Sequence, residues 1–213
     1  MKKIYTYVLN TMADWEIGMA IAELNTQRFF SEAQDFEVKT FALNKNPVKT
    51  MGGVTIMPDY AIREVTAEDA ALLILPGAEN WPEPEHGQVL ELARGFLAAD
   101  VPVAAICGAT EAMARTGMFD NVEHTSNGLE YLKMTCPNYR GASHYKDELA
   151  VTDGNLITAG SSSSVAFAYQ ILKKLKVMSP KRLEYWNGYF EEHSLDTVIN
   201  LLNEMESGKN EGN

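Results

Sequence analysis

Cys107 stands where an apolar, strand-like run changes at once into a helix-like run. The run over 101–106 ends on this cysteine, and Gly108 and Ala109 follow it. In α/β enzymes a nucleophile commonly occupies such a turn, where small neighbours leave room for strained backbone and a substrate. A thiol there would also lie at a helix N-terminus, whose dipole favours the reactive thiolate. The pattern indicates nucleophilic chemistry at Cys107; the competing interpretation is a buried cysteine acting as a small hydrophobic side chain.

The elements that would position this junction alternate between short strand-like and longer helix-like runs, which is typical of a parallel sheet covered by helices. In chain order, the sequence predicts a strand over 4–9, a helix over 15–30, a strand over 36–42, a small hairpin over 49–58, a strand over 71–75, a helix over 88–99, the strand before the cysteine, a strand over 156–159 and a helix over 165–175. We therefore predict an α/β fold with a mostly parallel central sheet.

Loops at the carboxyl ends of parallel strands form the ligand crevice of an open α/β sheet. Three predicted loops, over 14–16, 77–81 and 107–109, would meet there. The two acids of the first loop, Asp14 and Glu16, also have a simpler explanation, because carboxylates are favoured at a helix N-terminus. The pattern alone brings carboxyl groups to the same edge as the thiol without assigning them a role.

Composition limits the classes of partner. The chain has 213 residues, which suit one α/β domain with a sizeable core. Its 18 Lys and Arg against 29 Asp and Glu give a formal net charge of −11, without a basic stripe. This balance excludes nucleic acid and anionic membranes as expected partners. The N-terminus is too quickly polar for a signal peptide and no run reaches membrane-spanning length, so we expect a soluble, cytoplasmic protein.

Neither the cysteines nor most of the histidines indicate a metal site. Cys107 and Cys136 are expected to be free thiols in a reducing cytosol, and Cys136 has no CxxC partner. His86, His144 and His193 lie among polar or loop residues without metal-ligand spacing, and we expect them at the surface. We predict neither a metal nor a cofactor.

An ordered set of motifs resembles the ThiJ/PfpI family, within the class I glutamine amidotransferase-like superfamily, over roughly residues 4–175. The motifs are Asp14-Trp-Glu16 after the first strand, Leu75-Pro76-Gly77, the Ala-Ile-Cys-Gly-Ala elbow, Gly-Met-Phe-Asp followed by His-Thr-Ser-Asn, and Asn-Leu-Ile-Thr-Ala-Gly-Ser-Ser-Ser-Ser before an apolar helix. The resemblance implies a three-layer, flavodoxin-like sandwich with the nucleophile elbow at Cys107, and it favours a functional thiol over a merely buried one.

The resemblance also implies a carboxylate beside the thiol, and Glu16 matches that position best, with Asp14 as the competitor. The carboxyl group would either take the thiol proton or stay protonated and hold the thiolate. Burial would raise its pKa and suit it to proton transfer.

Backbone donors for a developing oxyanion are implied at Gly77 or Ala78, together with Gly108. Many family members have a second glycine where this chain has Ala78, and a positive φ there would be costly. The simpler interpretation of the Pro-Gly segment is an ordinary strand-ending turn. Trp81 either walls the pocket or anchors its loop on the core.

One departure from the family concerns histidine. Where many members carry a His close to the thiol, this chain has Asn127, which can orient a substrate but cannot shuttle a proton at neutral pH. His124 is a candidate, although on a strand it would point to the opposite face from Asn127. The residue after Cys107 is Gly108, so a Cys-His peptidase is disfavoured.

The expected organisation is a core domain over 1–178, a helical extension over 179–205 that packs on the core or at a dimer interface, and a disordered tail over 206–213. The resemblance implies a homodimer, and the chain leaves no room for a DNA-binding domain.

Two functions from different classes remain. In the first, Cys107 adds to a small reactive carbonyl compound such as methylglyoxal, in a cofactor-free glyoxalase-like, deglycase-like or hydrolase reaction. In the second, the protein is a non-catalytic oxidative-stress sensor or binding protein whose thiol is oxidised. The missing histidine leaves the second hypothesis open.

Overall fold

A seven-stranded sheet forms the centre of the molecule in the computed structural model, which describes residues 1–192 and 194–210. In chain order the strands are β1 (Lys2–Tyr7), β2 (Phe36–Ala42), β3 (Val48–Lys49), β4 (Thr55–Ile56), β5 (Tyr60–Ala61), β6 (Ala70–Leu75), β7 (Val103–Ile106), β8 (Ala150–Asp153) and β9 (Leu156–Ala159). The sheet order is β5-β2-β1-β6-β7-β9-β8, and only β8 runs antiparallel to its neighbour. The strand order therefore reverses between β1 and β6, which places the ligand crevice at their carboxyl ends.

Helices flank this sheet. They are α1 (Asp14–Thr26), α2 (Gly87–Ala98), α3 (Gly108–Arg115), α4 (Leu129–Thr135), α5 (Ser164–Leu175), α6 (Pro180–Glu191) and α7 (Leu195–Asn210). Tyr5 of β1 packs edge-on against Phe96 of α2, whereas α1 and α5 contact one another. None of the helices in the described ranges has both the length and the apolar character needed to cross a bilayer.

The predicted fold class is confirmed as a three-layer α/β sandwich with a mostly parallel, flavodoxin-like sheet. The strands over 36–42 and 156–159 have their predicted bounds, and the expected hairpin is formed by β3 and β4. The first helix ends at Thr26 rather than at residue 30, because Gln27 turns the chain into the left-handed region at φ 51°.

The C-terminal segment continues as two helices. Ser179 caps α6 by accepting a hydrogen bond from the Arg182 N–H at 3.2 Å, and Trp186 is fully buried. Helix α6 packs on α5, and α7 packs on α6. The tail predicted to be disordered over 206–213 is helical up to Asn210, since extending an existing helix fixes only one residue per added hydrogen bond. Residues 211–213 lie outside the described residues.

Candidate active site

Cys107 occupies a strained turn between β7 and α3. Its backbone has φ 57° and ψ −124°, a conformation that typically costs about 1–3 kcal/mol for a residue with a side chain. The turn is held on both sides, because the Cys107 N–H donates to the Ala159 carbonyl at 3.0 Å and the Cys107 carbonyl accepts from the Thr110 N–H at 2.9 Å. The Thr110 hydroxyl donates to the same carbonyl at 2.6 Å. The backbone thus has the strained strand-to-helix elbow that was predicted at Cys107.

The Glu16 carboxyl lies beside this thiol. Glu16 is fully buried in α1, and its Oε2 accepts a hydrogen bond from the Gly77 N–H at 2.7 Å. Its Oε1 has no hydrogen-bond partner in the described part of the chain. The Glu16 carboxyl and the Cys107 thiol lie close enough to affect each other's ionisation. A Cβ at Gly77 would lie 2.5 Å from Glu16 Oε2 and 2.6 Å from the Cys107 Cβ. Only glycine therefore fits between the two groups.

We expect Gly77→Ala to disrupt both the fold and the thiol. The new methyl group would overlap Glu16 and Cys107, and overpacking of this kind costs about 1–3 kcal/mol. Urea unfolding and the rate of thiol alkylation measure the two effects. The control is Gly18→Ala within α1, where a Cβ meets nothing within 4 Å and should stabilise the helix by about 0.5–1 kcal/mol. Wild-type stability and reactivity in Gly77→Ala would contradict this arrangement.

Burial controls the ionisation of the pair. It raises the pKa of Glu16 to about 7, outweighing the Cys107 thiol and the Gly77 N–H, which both act to lower this pKa. Burial and the Glu16 charge raise the pKa of Cys107 to about 11. The expected lowering of the thiol pKa at the helix N-terminus is therefore wrong, because ionised Cys107 would place a second negative charge in a buried site. The thiol needs Glu16 to take its proton.

Asn127 faces the sulfur from the other side. Its Oδ1 accepts the Ser161 N–H at 2.9 Å, which orients the amide so that Nδ2 donates to Cys107 Sγ at 3.4 Å. The same Nδ2 donates to Glu111 Oε1 at 3.1 Å. The hydrogen bond from Asn127 to the sulfur acts to lower the thiol pKa, but an amide cannot carry the proton away.

One of the backbone donors predicted near the thiol is already engaged. The Gly77 N–H is engaged by Glu16, which leaves Ala78 and Gly108 as the candidate oxyanion donors. A Cβ at Gly108 would lie 2.8 Å from the Ala78 carbonyl oxygen and 3.3 Å from its nitrogen, so these two segments touch. Ala78 is not among the described non-glycine residues with positive φ, and the anticipated strain does not arise.

A cavity of about 360 Å³ opens over Cys107. Trp81 forms one wall: the side chain is buried, and its Nε1–H donates to the Pro76 carbonyl at 2.8 Å. Trp81 therefore both lines the cavity and anchors its own loop, the two roles that the sequence left open. Trp15, from the loop predicted at this edge, also lines the cavity. Further lining residues that the sequence analysis missed are Met51, Glu111, Arg115, Tyr131 and Ser161. Helical spacing could have found two of them, because residues 111 and 115 follow the cysteine at intervals of four.

Asp14 lies outside this cavity. Its Oδ2 accepts the Gly52 N–H at 2.6 Å and so ties α1 to the hairpin turn. Partial burial acts to raise the pKa of Asp14, but the hydrogen bonds from Thr50 and Gly52 lower it overall.

His124 is also removed from the thiol. Its Nδ1 faces the Val122 carbonyl at 2.8 Å and its Nε2 faces the Tyr139 hydroxyl at 2.6 Å, so both ring nitrogens have partners. The ring stacks on Phe119 with 4.4 Å between centroids, and burial lowers the pKa of His124. These contacts describe a neutral histidine that holds the packing of its loop.

The prediction of surface histidines is wrong for His86. Its ring is 2 % exposed, and Nδ1 lies 2.7 Å from the hydroxyl of Tyr7 on β1. The loop folds back over a strand 79 residues away, a contact that local polarity does not reveal. His144 is half-buried, and His193 lies outside the described residues.

Comparison with known proteins places this site in context. The sequence profile described as the DJ-1/PfpI family matches residues 2–174. A Bacillus subtilis protein described as the uncharacterized protease YoaZ is 42% identical, with 95% of this chain and 97% of that protein covered. A second B. subtilis protein, the uncharacterized protease YdeA, is 31% identical over 94% of this chain and 98% of its own length.

Solved structures agree with this similarity. A thiJ/pfpI family protein from Bacillus anthracis superposes with a TM-score of 0.91 at 44% identity, covering 95% of this chain and 96% of its own. A DJ-1 superfamily protein from Agrobacterium tumefaciens gives 0.79 at 31% identity, covering 91% of this chain and 100% of its own.

Proposed function

The chain belongs to the DJ-1/PfpI family, and from that premise we propose that it is a cofactor-free, cysteine-dependent enzyme acting on small reactive carbonyl compounds. The substrate class we favour is the α-oxoaldehydes, with methylglyoxal as the simplest member. The observation that carries the proposal is the packing of Glu16 and Cys107 on either side of Gly77, which pairs a nucleophile with a carboxyl group whose pKa is about 7.

The first step is addition. Cys107 Sγ bonds to the aldehyde carbon while the thiol proton passes to Glu16. The carbonyl oxygen becomes an alkoxide, for which the N–H groups of Ala78 and Gly108 are the nearest candidate donors. Glu16 returns the proton to that oxygen, and the product is a neutral hemithioacetal.

The second stage rearranges and releases this adduct. A base removes the hydrogen of the sulfur-bearing carbon, and a proton is delivered to the neighbouring ketone carbon. The aldehyde carbon is thereby oxidised to a thioester while the ketone carbon is reduced to an alcohol, so no external oxidant or reductant is needed. Water then cleaves the thioester to give lactate and the free thiol. Glu16 is the group within reach that can move these protons.

A peptidase of the Cys-His type is not what we propose. Gly108 follows the nucleophile, Asn127 faces its sulfur, and both nitrogens of His124 are already paired. No described histidine therefore lies ready to protonate a leaving amine at Cys107.

The proposal is tested by measuring the conversion of methylglyoxal to lactate. We expect wild-type protein to turn methylglyoxal into lactate, with the lactate methyl doublet growing in the proton NMR spectrum at a rate proportional to protein concentration. Methylglyoxal that disappears no faster than with heat-denatured protein would contradict the proposal.

The sensor hypothesis draws on one observation, the Asn127 amide that donates to the sulfur and would stabilise an oxidised or anionic form of Cys107. It predicts oxidation by hydrogen peroxide to a sulfenic acid, which a thiol reductant reverses, and then to a sulfinic acid, which it does not; the two are detected as a mass increase of one or two oxygens on Cys107. Oxidation without any carbonyl turnover would favour this second function.

A further inference from the structure

A second cluster of ligand-type side chains lies in the loop behind Trp81. Glu83, Glu85 and His86 each bring one donor atom to within 4.8 Å of the others. Two consecutive turns shape this loop: the Glu83 N–H donates to the Asn80 carbonyl at 3.0 Å, and the His86 N–H donates to the Glu83 carbonyl at 3.1 Å. The backbone is thus fixed while the two glutamate side chains stay exposed and can move.

His86 supplies an independent sign of a ligand. Its Nδ1 is paired with the Tyr7 hydroxyl at 2.7 Å, whereas its buried Nε2 has no hydrogen-bond partner in the described ranges. The nearest acidic oxygen, Glu83 Oε2, is 3.9 Å away, which is too far for a hydrogen bond. A buried polar nitrogen without a partner is destabilising, so a ligand bound at this position would stabilise the loop.

Asn80, in the same loop, also has a buried polar atom without a partner in the part of the chain that the structure describes. Its Oδ1 is also buried without a hydrogen-bond partner among the described residues, and Asn80, Glu85 and His86 all line one cavity of about 170 Å³. This space holds a small ion with its waters but not an organic substrate of ordinary size.

We propose that Glu83, Glu85 and His86 bind a divalent transition-metal ion, with Zn²⁺ as the probe. One imidazole and two carboxylates form a donor set typical of such ions, and an ion at 2.0–2.2 Å from each donor requires the exposed glutamates to close in only slightly. The Tyr7 hydroxyl can accept the Nδ1–H of His86, which leaves the Nε2 lone pair for the metal. The two negative charges favour a cation over an anion.

The ion would act on the catalytic cavity through Trp81. The His86 and Trp81 rings are 5.6 Å apart, and Trp81 is a wall of the cavity over Cys107. A metal that fixes His86 would therefore hold this wall, and it would change the fluorescence of the buried indole.

The experiment titrates the whole chain with zinc ion by calorimetry and tryptophan fluorescence. Because a thiol also binds zinc, wild-type protein is compared with Cys107→Ser. The test variant combines Glu83→Gln with Glu85→Gln, and the matched control combines Glu91→Gln with Glu130→Gln, two exposed acids elsewhere. His86→Phe keeps an aromatic ring in place, and the glutamine variants keep the test valid where His86→Phe does not fold.

We expect one zinc ion per chain in wild type and in Cys107→Ser, binding at least tenfold weaker in the Glu83/Glu85 variant, and unchanged binding in the control. An anomalous diffraction peak about 2.1 Å from His86 Nε2 would place the ion. The proposal is overturned by absence of zinc binding, by binding that is lost in Cys107→Ser but kept in the Glu83/Glu85 variant, or by equal weakening in the control.

Discussion

Cys107→Ser is expected to abolish the conversion of methylglyoxal to lactate, lowering kcat/KM by a factor on the order of 10³ or more. The serine hydroxyl is a far weaker nucleophile than a thiol that can pass its proton to Glu16. The substitution leaves the backbone unchanged, since the strained turn at φ 57° is held by the hydrogen bonds that Cys107 donates to the Ala159 carbonyl and accepts from the Thr110 N–H, rather than by the sulfur. Lactate formation followed by NMR measures the loss.

The matched control is Cys136→Ser. Cys136 is buried outside the cavity, and its thiol donates to the Glu111 carbonyl at 3.5 Å, a bond that a serine hydroxyl can also make. We expect Cys136→Ser to keep turnover within a few-fold of wild type. Equal turnover in Cys107→Ser and wild type would show that the elbow thiol is not the nucleophile.

Glu16→Gln is expected to stabilise the folded protein above neutral pH while removing its activity. In wild type, burial raises the pKa of Glu16 to about 7 from a usual value of 4.5. Between these values the folded chain holds a proton that the unfolded chain releases, so the free energy of unfolding of wild type falls as pH rises. The advantage of Glu16→Gln should therefore grow by about 2–3 kcal/mol between pH 5 and pH 8, measured by urea unfolding at both values.

Glu23→Gln provides the control on the same helix. Glu23 is also fully buried, but it is paired with Arg28, whose Nε donates to Glu23 Oε1 at 3.1 Å. Glu23→Gln removes one partner of an ion pair, whereas Glu16→Gln removes a buried carboxylate that has no cationic partner among the described residues. We therefore expect Glu23→Gln to lose stability at both pH values. A stability difference between Glu16→Gln and wild type that stays constant from pH 5 to pH 8 would contradict a raised Glu16 pKa.

The elbow and the sheet were predictable because their signals are local. The apolar run before Cys107, the small residues after it and the alternation of strands and helices all lie within a few positions of each other. The parallel order then brings the carboxyl ends of β1, β6 and β7 to one edge, so the loops that carry Glu16 and Cys107 were expected to meet. The choice of Glu16 as the partner of the thiol came from the family resemblance.

What escaped prediction depends on contacts between distant segments. The sequence could not reveal that the Gly77 N–H donates to Glu16 instead of pointing at the substrate, because this depends on which carboxylate oxygen faces β6. The thiol pKa was predicted in the wrong direction, since the helix N-terminus is visible in the sequence and the burial beside a carboxylate is not. The burial of His86 against Tyr7 also escaped prediction, because the two residues are 79 positions apart in the sequence.

The rate of Cys107 alkylation by iodoacetamide as a function of pH tests the central claim most directly, with the label located by mass spectrometry to separate it from Cys136. We predict that the wild-type rate rises with a midpoint near pH 7, as Glu16 loses its proton and becomes able to accept that of the thiol. In Glu16→Gln this step should vanish, leaving a rate at pH 7.5 lower by about 10²-fold that rises only as the thiol itself ionises in alkali. A midpoint at or below pH 7 that is the same in both proteins would contradict the account, because the thiolate would then form without Glu16.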